Sequence, residues 1–235
     1  MKLNLKILSL SFIFVIFSTY IISDEGRLGR DSKDFKYSGI GLNISKADST
    51  DVGAYISIGL PGSLYIVAEK EFQDVDFGNE TFEKEMNKAR IGIHFGIGDL
   101  LGSISAGDIK VDIENIFDIY LELGIKSYDI DNIDYLVPDA GTEGNYILGV
   151  RYGNSNGFEG KFFLDISKEV EIGDIDPTCL SLDCPKPSVK LSKDTDTKFG
   201  ASFTYNITKR NAVEFKVIPS DIFSTSFVLG YKFNF

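Results

Sequence analysis

Two features of this sequence could carry chemistry: a single histidine and a pair of cysteines. His94 is the only histidine among the 235 residues. A hydrolytic centre would need a nucleophile and an orienting acid beside it, and neither Ser57 nor Ser202 lies in a recognisable nucleophile motif. A metal site is also disfavoured, because no second histidine could share the ion. The sequence therefore predicts no catalytic residue, no metal ligand and no cofactor, and it favours a hydrogen-bonding role for His94.

The two cysteines, Cys179 and Cys184, stand in the segment Cys-Leu-Ser-Leu-Asp-Cys. An even number of cysteines in an exported chain favours a disulfide. Redox catalysis is disfavoured, because the spacing is not Cys-x-x-Cys. We predict a disulfide that closes a small ring within a long loop.

Charged residues of both signs recur at alternate positions of several segments, which places them on one face of extended strands. If those faces line one narrow interior, the charges must pair, because an unpaired buried charge is costly. The interior would then be either a salt-bridged plug or a path for solutes or protons. If the strands close into a barrel of eight or ten strands, its interior is barely wider than its own side chains, which favours the plug. The predicted lumen charge network comprises Arg90, His94, Asp118, Glu122, Lys126, Arg151, Glu159, Lys161, Asp165, Glu214, Lys216 and Lys232.

The elements that would position these residues are strands with a period of two. In the clearest segment, 117–126, large apolar residues alternate with charged or small ones. Similar segments begin at Phe35 and predict an all-β, antiparallel up-and-down transmembrane barrel of about ten strands, with eight strands as the alternative. The polar stretches 73–85, 129–144 and 168–196 are interpreted as long loops, and 99–115 as a connection with an extra strand piece. The competing fold class is a soluble secreted β-sandwich.

The composition is typical of such a barrel. Hydrophobic residues make up 43% of the chain and the mean hydropathy is near zero, as expected where lipid-facing and interior residues alternate. The net charge of −11, without a basic patch, argues against nucleic-acid binding. Lys2 and Lys6 precede an apolar run over 7–22. This pattern predicts a signal peptide over 1–23, a polar N-terminal tether over 24–34 and the barrel over 35–235, with an uncleaved membrane anchor as the alternative.

The last strand ends in Tyr231-Lys232-Phe233-Asn234-Phe235, with aromatic residues at every second position. Together with the leading apolar run, it resembles the small outer-membrane β-barrels of Gram-negative bacteria, the OmpA/opacity-type, porin-like group. The resemblance implies export through the periplasm to the cell outer membrane and contact with lipid and lipopolysaccharide. It also implies that the barrel-insertion machinery reads Tyr231, Phe233 and Phe235 as an assembly signal. We expect a monomer.

Membership of that group does not imply one activity, so three functions stay open. The first is a non-enzymatic barrel with a largely side-chain-filled lumen and a structural or outer-loop interaction role. The second is a narrow channel for small solutes. The third is a lipid-modifying enzyme embedded in the barrel wall.

Overall fold

The structure, a computed structural model, describes residues 35–61, 63–96, 103–106, 109–112, 117–154, 157–176 and 186–235. No described segment forms a helix long and apolar enough to span a membrane. This part of the chain holds twelve β-strands: β1 (Gly39–Lys46), β2 (Thr50–Gly59), β3 (Leu64–Phe77), β4 (Glu80–Gly96), β5 (Ser103–Ala106), β6 (Ile109–Asp112), β7 (Phe117–Asp131), β8 (Thr142–Gly153), β9 (Phe158–Asp176), β10 (Ser188–Asn206), β11 (Asn211–Ile218) and β12 (Ser226–Asn234).

Ten of these strands form one closed antiparallel barrel. Each barrel strand pairs with the next along the chain, with β4 followed by β7, and β12 pairs with β1. The closing seam runs from Gly39 opposite Asn234 to Lys46 opposite Phe227. Closure pairs every edge, which a sheet in lipid requires because no water is present to bond to open backbone groups. The predicted ten-stranded barrel is confirmed, and both the eight-stranded alternative and the β-sandwich are wrong.

Side chains alternate between the two faces of the barrel wall. Every barrel strand has at least one large apolar residue on the outside, and Leu229 is 59% exposed there. Many inward positions are polar or charged, and Lys126 is 1% exposed there. Water would leave this apolar belt exposed, so lipid is the surrounding that suits it.

Two of the predicted loops are wrong, because their polar residues belong to strands. The stretch 73–85 is divided between β3 and β4, which meet at the turn Gly78-Asn79. Gly78 has a φ of +67° there, which glycine adopts without a steric penalty. The stretch 168–196 is also largely strand, since β9 continues to Asp176 and β10 begins at Ser188. Beyond the apolar belt a strand no longer needs an apolar outer face, so its polarity does not distinguish it from a loop.

The first strand and the 99–115 connection also differ in detail from the prediction. The first strand begins at Gly39 rather than Phe35, and the four residues before it are not part of the sheet. The connection between β4 and β7 holds a separate hairpin, in which β5 pairs with β6 from Ser103 opposite Asp112 to Ala106 opposite Ile109. The predicted extra strand piece therefore exists, and it lies outside the barrel sheet.

The longest strands enclose a small hydrophobic core at the end of the barrel opposite Gly39. Because β1, β2, β11 and β12 have only 8 to 10 residues and β9 and β10 have 19 each, the wall is much higher on one side. Inward side chains of the higher wall pack together there, with those of the loop after β7. The core consists of Phe82, Tyr128, Ile130, Ala140, Val170, Ile172 and Val189.

Four inward aromatic rings lie against the wall over a glycine of the neighbouring strand. Each glycine is directly opposite its aromatic residue in the sheet register. A Cβ atom on the glycine would come within 2.1 to 2.4 Å of the ring, a distance that real atoms do not adopt. The pairs are Gly41 with Tyr55, Gly92 with Tyr65, Gly149 with Tyr120, and Gly200 with Phe163.

Candidate functional site

One group of charges on the lumen wall of β3, β4 and β7 holds more acids than bases. The Arg90 guanidinium donates from Nε to Glu122 Oε2 at 2.6 Å and from Nη2 to Glu69 Oε2 at 3.0 Å. Lys88 Nζ donates to Glu71 Oε2 at 3.0 Å and lies 3.8 Å from Glu69 Oε2. Three carboxylates therefore face two cations in this group, and every one of them has an ionic partner.

A second group of charges surrounds Glu169 of β9, which is 4% exposed. Lys126 Nζ donates to Glu169 Oε1 at 2.7 Å, and Lys198 donates to the same oxygen. The Tyr128 hydroxyl donates to Oε2 at 2.8 Å. Lys126 also donates to Ser167 Oγ at 2.7 Å. This buried carboxylate thus has both oxygens satisfied, as a charge in the interior must.

Across the ring, a third group of charges lies on β9, β11 and β12. Glu214 Oε1 accepts from Lys161 Nζ at 3.2 Å, and Glu214 Oε2 lies 3.1 Å from Lys216 Nζ. Lys232 Nζ donates to the backbone carbonyl of Lys36 at 3.2 Å. Lys161 and Lys216 therefore share one carboxylate, whereas Lys232 donates to the backbone.

The segment 35–38, which precedes β1, lies inside the barrel at the end where β1 begins. The Tyr37 ring stacks on the His94 ring with centroids 3.9 Å apart and an interplanar angle of 12°. The Tyr37 hydroxyl donates to Asp118 Oδ2 at 2.9 Å, and the Ser57 hydroxyl donates to the Tyr37 carbonyl. The adjacent Phe35 is buried as well. These contacts place two aromatic rings across the end of the lumen.

Arg151, which is the register partner of Asp118 on the neighbouring strand, also holds this segment. Its guanidinium lies 4.7 Å from the Phe35 ring centroid and 5.1 Å from that of Tyr37, within the range of cation–π attraction. It also donates from Nη1 to the Lys36 carbonyl at 3.1 Å and from Nε to Glu159 Oε2 at 2.9 Å. The buried Arg151–Glu159 ion pair therefore links the barrel wall to the 35–38 segment.

His94 is enclosed by this packing. Its Nδ1 atom lies 3.3 Å from Asp118 Oδ2, and the residue is 1% exposed. Because Tyr37 covers the ring face, a substrate could reach His94 only after the 35–38 segment had moved. Within the described ranges, no group of three or more His, Cys, Asp or Glu side chains is arranged to hold a metal ion.

A cavity of about 620 Å³ remains between the 35–38 segment and the hydrophobic core. It reaches the β1–β2 and β11–β12 turns, where Asp48, Ser49 and Ser224 line it. Its volume falls within the range of about 300–1,000 Å³ that is typical of small-molecule sites. The lumen is therefore not filled by side chains along its whole length.

The residues of the predicted lumen charge network all face the interior and fall into separate groups. Asp165 accepts from Asn145 Nδ2 at 2.6 Å, and the others lie in the groups described above. Sequence reasoning missed other charged residues that face the interior, among them Glu69, Glu71, Lys84, Lys88, Glu169, Asp196 and Lys198.

Two kinds of signal were overlooked. Lys88 has the phase of Arg90 along β4 and could have been found from it. Glu69 and Glu71 follow the stretch 64–68, which is apolar at every position and hides the phase, whereas Glu169 fell in a stretch that was interpreted as a loop.

The other predicted site residues are placed only in part. Cys179 and Cys184 lie outside the described residues, so their disulfide stays a prediction. Tyr231 lies on the outer face of β12, and its hydroxyl donates to Asn211 Oδ1. Phe233 lies in the same strand and Phe235 follows it in the chain. Recognition of these three residues by the insertion machinery also stays a prediction.

No protein-family model matches the sequence, and no curated protein matches it. Among solved structures, the chain is similar to the KdgM porin at 9% sequence identity, covering 84% of this chain and 99% of that one, with a TM-score of 0.44. It is similar to an outer membrane channel from Pseudomonas putida F1 at 10% identity, with 87% and 98% covered and a TM-score of 0.41. It is also similar to the outer membrane protein Ail of Yersinia pestis at 9% identity, with 86% and 100% covered and a TM-score of 0.37.

The barrel's own features decide its class. All ten strands are antiparallel neighbours in a closed ring, the outside is an apolar belt, and the inside is polar and ion-paired. These are the features of barrels that cross outer membranes. The protein therefore has the fold of a small, ten-stranded outer-membrane β-barrel.

Proposed function

We propose that this protein is a non-enzymatic outer-membrane barrel whose lumen is closed at the periplasmic end and whose long outer strands serve a structural or interaction role. The observation that carries the proposal is the packing of the 35–38 segment inside the lumen. Tyr37 stacks on His94 at 3.9 Å, and Arg151 lies over Phe35 at 4.7 Å. Solute passing through the barrel would have to displace this segment.

The lengths of the connections support the orientation. In bacterial outer-membrane barrels, short turns face the periplasm and longer connections face outward. The end that holds 35–38 has the short connections 60–63, 154–157 and 207–210, with the β5–β6 connection as an exception. The opposite end has the higher wall and the connection 132–141, and its connections 47–49 and 78–79 are short exceptions. In this orientation the protein contacts outer-membrane lipid and lipopolysaccharide, and the barrel-insertion machinery would place it there as a monomer.

The high outer wall supports a role in contacts outside the membrane. The parts of β3, β4, β9 and β10 beyond the belt are strands that share a hydrophobic core, so they present a folded surface rather than free loops. A preorganised surface loses less entropy when it binds a partner. The burial of His94 behind Tyr37 supports a non-enzymatic reading, since the only histidine is out of reach of substrate.

Single-channel recording in a planar lipid bilayer tests the proposal. The wild-type protein should give no steady openings. Replacing Phe35 and Tyr37 by alanine removes both rings from the closed end, so this double variant should conduct. As a matched control, alanine at the outward Phe162 and Phe215 removes two rings from the lipid face and should leave the barrel closed. Steady, reproducible openings of the wild-type protein would overturn the closed-lumen proposal.

The cavity of about 620 Å³ favours a second candidate, a narrow channel for small solutes. In that case the 35–38 segment would be a gate, and the wild-type protein would already conduct. Equal conductance of the wild type and the Phe35/Tyr37 double variant would indicate a path that bypasses the segment.

A further inference from the structure

Lys161, Ser202 and Lys216 form one row across three neighbouring strands on the cavity wall. Ser202 of β10 is directly opposite Lys161 of β9 on one side and Lys216 of β11 on the other. All three residues line the cavity. Directly opposite residues have Cβ atoms about 4.5–5.5 Å apart, so the Ser202 side chain lies between the side chains of two lysines.

The two lysines of this row have one ion-pair partner between them. Lys161 and Lys216 share the single carboxylate of Glu214. Their side chains are 26% and 24% exposed, whereas that of Glu214 is 6% exposed, so the ammonium groups are accessible from the cavity and the carboxylate lies deeper. Lys232, which also lines the cavity, has no carboxylate within ion-pair distance among the described residues.

The Ser202 hydroxyl is the second, independent observation. Ser202 is 6% exposed, and within the described part of the chain its Oγ atom has no hydrogen-bond partner. A buried polar group without a partner costs free energy, and such groups in folded proteins call for an explanation. Ser202 lines the cavity, so a bound group could supply the partner.

We propose that this row binds an oxyanion, a carboxylate or phosphate group of a small solute that enters the cavity from the outer side. The two ammonium groups and the hydroxyl offer several donors at one place, and hydrogen bonds from charged donors to oxyanions are the strongest in proteins. Two ammonium groups against one carboxylate leave a net positive charge to attract the ligand. Asp48 and Asp51 at the mouth affect the rate of entry more than the affinity, because rim charges act mainly on association.

Isothermal titration calorimetry on the protein refolded in zwitterionic micelles tests this site, with inorganic phosphate and citrate as probes at fixed ionic strength. The wild type should bind at least one of the two saturably. Ser202→Ala should weaken binding about tenfold, because it removes one hydrogen bond to a charged group. Glu214→Gln should strengthen binding about tenfold, because it removes the anion that competes for both lysines. Circular dichroism verifies that each variant keeps its strand content.

Ser45→Ala is the matched control, since Ser45 also lines the cavity, on β1, but donates to Asp51 at 3.1 Å. It should leave the affinity unchanged. Absence of saturable binding of both probes, an equal loss in Ser45→Ala and Ser202→Ala, or weaker binding in a folded Glu214→Gln variant would each overturn the proposal. The outcome is independent of conductance, because an open and a closed barrel could both hold the anion.

Discussion

Replacing Glu169 by alanine should destabilise the barrel by about 3–5 kcal/mol, the usual cost of removing one partner from a buried ion pair. Most of this loss of folding free energy comes from Lys126, which is 1% exposed and would keep only the Ser167 hydroxyl as a partner. Lys198 would keep Asp196, whose Oδ2 lies 3.4 Å from its Nζ. Because only one of the two cations loses its counter-charge, we expect the lower half of this range. Glu169→Gln, which keeps an acceptor oxygen, should fall between the wild type and the alanine variant.

Glu143 offers a matched comparison, because it also contacts two lysines of neighbouring strands. Lys193 Nζ donates to it at 2.6 Å and Lys168 Nζ lies 3.9 Å away, but these lysines are 38% and 55% exposed. Exposed ion pairs contribute little to stability, so Glu143→Ala should leave the unfolding midpoint unchanged. Urea titration of the refolded protein in micelles, followed by far-UV circular dichroism in both directions, measures the difference. A shift in Glu143→Ala as large as that in Glu169→Ala would refute the argument from burial.

Gly149→Ala should cost about 1–3 kcal/mol in the same urea titration, because the new Cβ would lie 2.4 Å from the Tyr120 ring. Gly157→Ala, where a Cβ meets nothing within 4 Å, is its control, and equal midpoints would contradict the prediction. Cys179 and Cys184 should resist thiol labelling in unreduced, denatured protein, and two free thiols would end the disulfide prediction. Phe235→Ala should lower the amount of inserted protein in cells while refolding in detergent stays nearly normal, and equal losses in both settings would mean that Phe235 is only a packing residue.

The parts of the fold that lie in the apolar belt were predictable from the sequence. In segments such as 117–126 the lipid imposes an apolar residue at every second position. The strand, its lipid-facing side and the inward position of Asp118, Glu122 and Lys126 could therefore be predicted. Outside the belt this constraint disappears. There the β3–β4 turn was hidden within a polar stretch, although Gly78-Asn79 is a recognised hairpin signal.

The arrangement inside the lumen was only partly predictable. Alternation predicted that Lys161 and Lys216 face the lumen. That they share Glu214 and have Ser202 between them depends on the register of three strands, which the sequence does not show. Phe35 and Tyr37 do not share the phase of the apolar residues Ile40, Leu42 and Ile44, because the alternation shifts at Gly39. A shift of this kind fits a β-bulge as well as a segment that leaves the sheet, so the spacing alone does not distinguish the two. The position of Phe35 and Tyr37 depends on contacts with His94 and Arg151, which are distant in sequence.

The four glycines beneath aromatic rings give the barrel its internal room. Tyr55, Tyr65, Tyr120 and Phe163 all line the cavity, and each lies flat because its glycine has no side chain to lift the ring from the wall. A side chain at any of these glycines would push a ring toward the barrel axis. In a ring of ten strands, whose interior is little wider than its own side chains, four small positions thus set the calibre of the lumen. The size limit for a solute in the cavity is therefore encoded in residues that such a solute would never touch.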